Sequence, residues 1–72
     1  MDKPEPTELR IEMEKGARRA VLVLKKYAED AYTIAAIERK GLPPLSDDDN
    51  TYQDVPKAIE AGTKIWYGTL PD

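Results

Sequence analysis

Five apolar residues follow one another without a break at Ala20-Val21-Leu22-Val23-Leu24, with Arg18-Arg19 before them and Lys25-Lys26 after. Such a run is apolar on every side of a helix, so a chain of 72 residues must cover it from more than one direction. The surrounding sequence reads as helical. No proline interrupts the chain from Thr7 to Lys40; Thr7 suits an N-cap, and Gly41 followed by Pro43-Pro44 suits a stop. Arg39 and Lys40 stand where cations favour the negative end of a helix. Leu9, Met13, Ala17, Ala20, Leu24, Tyr27, Ala31 and Ile34 recur at spacings of four and three, the stripe of an amphipathic helix.

This spacing predicts one helix over about residues 7–40, with Gly16 as a kink or a point of close backbone approach. Farther on, Asp54-Val-Pro-Lys-Ala-Ile-Glu-Ala-Gly62 has the form of a capped short helix, with Pro56 in the first turn and Gly62 as a stop. The expected fold is therefore all-α. A long N-terminal helix is joined to a short C-terminal helix packed back on it, a helical hairpin that self-associates. Residues 1–6, with two prolines, are an extended lead-in, and residues 7–72 form one small helical domain.

The argument for self-association is one of length. A helix from Thr7 to Lys40 would run about 50 Å at 1.5 Å per residue, while a compact chain of this size is roughly 30 Å across. On such a helix Leu22 falls nearly opposite Leu24 and shares its side with Ile11, which makes a second apolar strip. A second copy of the chain is the expected cover, through Met13, Gly16, Ala17, Ala20, Leu22, Leu24, Tyr27 and Ala31. Small chains need staples, and without cysteine no disulfide supplies one.

Charge is unevenly spread. Residues 1–41 carry nine Lys/Arg and eight Asp/Glu, a net +1; residues 42–72 carry two and six, a net −4, which together give −3. An acidic total disfavours general nucleic-acid binding. No apolar run approaches the roughly 20 residues of a membrane span, so no membrane partner and a cytoplasmic setting are expected. Chemistry is thinly equipped: there is no histidine, no cysteine and one serine, Ser46, and no glycine-rich phosphate loop. Asp47, Asp49 and Thr51 match positions one, three and five of a calcium loop, but Tyr52 and Ala58 stand at positions six and twelve, where glycine and glutamate are required. Neither an enzyme nor a cofactor or metal is expected.

Two functional readings remain. The first is a non-enzymatic interaction module, a small regulator, inhibitor or accessory subunit. It acts as a helical homo-oligomer and meets another protein through Asp47, Asp48, Asp49, Tyr52, Asp54 and Trp66, where an aromatic stands among steering charges. The second is an oligomer that captures a small anion or nucleotide with Lys15, Arg18, Arg19, Lys25 and Lys26.

Overall fold

The computed structural model describes residues 6–70, apart from the side chain of Asp48. All of the expected lead-in except Pro6 lies outside the described residues. The chain forms four strands, β1 (Thr7–Lys15), β2 (Arg18–Ala28), β3 (Ala31–Arg39) and β4 (Leu42–Tyr52), followed by one helix, α1 (Val55–Gly68). The strands make an antiparallel sheet in the order β1-β2-β3-β4, a meander whose one face carries the helix.

The expected all-α fold is thus overturned: the segment read as one helix over residues 7–40 is three strands, and the protein is mainly β rather than alpha-helical. The physical reason lies in the spacings. Residues four apart share one side of a helix, but they also share one face of a strand, because four is a multiple of two. Leu9 and Met13, or Ala20 and Leu24, fit either structure. Ile11 and Leu22 decide between them. On a helix they form an opposite strip; on strands they fall in with their neighbours, and Leu9, Ile11 and Met13 pair with Leu24, Leu22 and Ala20 on one face. The second apolar strip was a signature of period two.

Local chemistry supports the strands. Thr7–Lys15 alternates charged and apolar residues, and β2 is rich in β-branched Val and apolar on both faces. Gly16 and Gly41 are not a helix kink and a helix stop. Each sits in a two-residue hairpin connection with positive φ, +63° and +76°, which glycine adopts without a Cβ clash. In β3, Leu24 faces Ile34 and Leu22 faces Ile37, with a bulge between them. The extra residue turns two isoleucines three apart in sequence onto the same face, which in sequence mimics a helical step.

The core lies between sheet and helix. Leu22, Leu24, Ile34, Ile37 and Trp66 are its largest fully buried side chains, each contributing roughly 1.5–3 kcal/mol by burial. Leu22 and Leu24 are both 0% exposed within the single chain, so the argument that they call for a partner no longer stands. On the other face Val23 is also buried although no helix or strand among the described residues packs over it. Arg10 lies opposite Val23 and reaches across β2 to pair with Glu38, laying its side chain over the valine strip.

The C-terminal helix starts at its expected cap. Asp54 is extended, and its carboxylate accepts a hydrogen bond from the Lys57 amide at 2.9 Å, with Pro56 in the first turn. The helix does not stop at Gly62, which is buried in its interior; it ends at Thr69, whose hydroxyl donates to the Trp66 carbonyl at 2.7 Å. Among the described residues no helix is long and apolar enough to cross a membrane.

Candidate functional site

A meander brings alternate hairpins to the same end of its sheet. The Gly16–Ala17 and Lys40–Gly41 connections therefore lie side by side, and α1 runs so that its C-terminal end arrives next to them. Arg18, Arg19, Arg39 and Lys40 meet there around an open groove of about 220 Å³, completed by Leu42, Trp66, Thr69 and Leu70. A neighbouring hollow is lined by Lys15, Gly16, Ala17, Arg18 and Leu70.

The cations are held to different degrees. Arg19 Nε lies 3.0 Å from Glu14 Oε1, with both side chains largely in solvent, so the pair contributes little. Lys15 Nζ stands 4.2 Å from the centre of the Tyr67 ring. Arg39 Nη2 donates to the Pro43 carbonyl at 2.6 Å, while its Nε is shut off from solvent with no hydrogen-bond partner. Arg18 and Lys40 have no carboxylate partner among the described residues. The helix supplies no basic residue of its own in its last turn, so the hairpin cations face its negative end unaided. Glu12, Glu14 and Glu38 line a depression of about 370 Å³ with Arg19, Arg39 and Lys40. Among the described residues, the groove against α1 has no acidic residue in its lining.

The acidic residues of the β4–α1 segment lie away from this groove, and two of them, Asp47 and Asp54, are engaged by neighbours in sequence. Asp47 Oδ1 accepts from Asn50 and Oδ2 from the Tyr52 hydroxyl, each at 2.7 Å. The Tyr52 phenol is pushed up to about 12, first by that hydrogen bond, then by burial and by the charge of Asp47. Asp54 is the helix cap, and Asp49 is exposed. Trp66 is 1% exposed; it is a core residue beneath the basic groove, on the other side of the molecule from the acidic loop with which it was grouped.

Of the residues expected at a basic site, Lys15, Arg18 and Arg19 come together. Lys25 and Lys26 lie at the far end of β2, about 20 Å away at 3.3 Å per residue. Lys26 stands 5.9 Å from the Tyr32 ring and 3.5 Å from Glu29. Sequence reasoning missed Arg39 and Lys40, which it had assigned to the end of a long helix; the Arg39-Lys40-Gly41 turn between apolar segments was the available hairpin signal. Of the residues expected at a subunit interface, Met13, Ala20, Leu22 and Leu24 are buried in the chain's own core. Gly16 and Ala17 form an exposed turn, Ala31 is half-buried, and Tyr27 projects into solvent. No protein-family model matches the chain, and comparison with curated proteins and with solved structures finds no match.

Proposed function

We propose that this protein is a non-enzymatic binding module whose basic end captures a phosphate-bearing small ligand, with nucleotides as the fitting class, and that it serves as a small regulator or accessory subunit in the cytoplasm. One observation carries the reading. Two pairs of cations far apart in sequence, Arg18-Arg19 and Arg39-Lys40, converge from separate hairpins on one groove that has no acid in its wall among the described residues. Guanidinium groups suit phosphate because their fork of N–H donors matches its oxygens. The groove, about 220 Å³, is smaller than the roughly 300–1,000 Å³ of a site that swallows a drug-sized ligand. It suits the phosphate end of a nucleotide, with the rest lying against Leu42, which is 56% exposed. No reaction is assigned. The one hydroxyl in the groove, that of Thr69, is committed to the Trp66 carbonyl. The reading through an acidic recognition surface ranks below this one, because Asp47 and Asp54 are already hydrogen-bonded within the chain and Trp66 is buried.

Thermal melting with inorganic phosphate and with adenosine mono- and triphosphate tests the proposal. A ligand present at its Kd adds about 0.4 kcal/mol, which for a domain of this size raises Tm by roughly 2–3 °C. Arg18→Glu abolishes that rise. If no nucleotide shifts the melt and Arg18→Glu only lowers Tm, the cations serve the helix end and the proposal is wrong.

A further inference from the structure

The two edges of the sheet are unlike. β4 carries Pro43 and Pro44 and pairs with β3 through three register shifts, features that spoil an edge for further pairing. β1 has neither: its nine residues pair with β2 without a shift and include no proline. Its inner face is also unevenly covered. α1 reaches Met13 through Thr63, 3.8 Å from the sulfur, and its Tyr67 ring lies under Lys15. Leu9 and Ile11, toward the other end of the strand, remain only half-buried.

We propose that β1 pairs antiparallel with β1 of a second copy, about a two-fold axis at Ile11, so that two four-stranded sheets become one. The register follows from the side chains. Placing Ile11 opposite Ile11 sets Leu9 opposite Met13 on the helix side, so that three apolar residues of each copy meet apolar partners. On the other face it sets Arg10 opposite Glu12 twice, and Glu12 has no ion pair of its own among the described residues. A shift of the axis to Arg10 opposes the two arginines. A shift to Glu12 opposes the two glutamates and puts Lys15 against Leu9. Both set like charges against each other on the two-fold axis, at the centre of the ladder, which destabilises it. In the favoured register Glu8 faces Glu14, but both carboxylates are exposed and lie toward the ends of the paired segment, where water and salt screen their repulsion. The outer-edge backbone groups of β1, which have no strand partner among the described residues, then gain partners, as in strand addition generally.

Light scattering tests the pairing first. The wild-type chain is expected at twice its 8.1 kDa at high micromolar concentration, and Glu12→Arg, which sets Arg10 against a second cation, is expected at the monomer mass with an unchanged circular dichroism spectrum. The chain has no cysteine, so a crosslink tests the register without ambiguity. Ile11→Cys is expected to oxidise to a covalent dimer, and Thr7→Cys, which the register sets opposite Lys15, is not. A wild-type monomer at the highest concentration overturns the proposal. So does a dimer in which Glu12→Arg changes nothing, or one in which Thr7→Cys crosslinks as well as Ile11→Cys.

Discussion

Gly62 and Leu22 are in contact across the helix–sheet interface: a Cβ at Gly62 would stand 2.7 Å from Leu22 Cδ1, closer than any ordinary carbon contact. The absence of a side chain at this position lets α1 lie close on the centre of the sheet. It also explains why a glycine is tolerated inside a helix, where it costs about 1 kcal/mol relative to alanine.

Gly62→Ala therefore sets two effects against each other. Helix propensity gains about 1 kcal/mol, and overpacking a tight core costs roughly 1–3 kcal/mol. Leu22 is fully buried and has little room to move, so a net loss of about 1 kcal/mol is expected, seen as a Tm lowered by roughly 4–8 °C. In a Leu22→Ala background the same substitution should become stabilising. Simple additivity between the two would show that the contact does not matter.

The Tyr52–Asp47 hydrogen bond predicts a pH dependence. The phenol, ordinarily near 10, rises to about 12 in the folded chain, so the native state holds this proton more tightly than the unfolded state. The stabilisation is complete below about pH 10 and is lost as the pH climbs toward 12. Ultraviolet titration should show one tyrosine ionising late, and Asp47→Asn should bring it back toward its ordinary range. Tyr52→Phe should flatten the stability curve in that window.

Asp54 is tested by Asp54→Ala, which leaves the Lys57 amide without its acceptor. A loss of about 1 kcal/mol in urea unfolding is expected. Asp54→Ser, which can cap in the same way, should recover most of it.

The bulge in β3 makes a sharper prediction. Deleting Ala35 would remove the extra residue and leave Ile34 and Ile37 two apart, still on one face of a now regular strand opposite Leu24 and Leu22. The deletion should therefore cost less than the roughly 2–5 kcal/mol of Ile37→Ala, and Ala35→Ser, which keeps the count of residues, less than about 1 kcal/mol. A loss as large as that of Ile37→Ala would mean that the bulge itself is needed to hold the two isoleucines in the core.

How much of this was legible beforehand differs from element to element. Asp54, Pro56 and the apolar steps of Val55, Ile59 and Trp66 announced the C-terminal helix, because capping and 3.6-residue periodicity act within a few residues of one another. The basic site was half legible. Lys15, Arg18 and Arg19 are neighbours in sequence, but Arg39 and Lys40 join them only because the meander folds two hairpins to the same end.

The amino-acid order by itself determined which residues are apolar, where the cap of the C-terminal helix falls, and how charge divides between the two halves of the chain. It left the choice of helix or strand over residues 7–40 open to misreading, since spacings of four satisfy both periods and the bulge at Ala35–Ala36 supplies a spacing of three. That choice belongs to tertiary structure. Leu22 and Leu24 reach full burial only when β1 and β3 flank β2 and α1 closes over them, and the free energy that selects strand over helix comes from those non-local contacts rather than from local propensity.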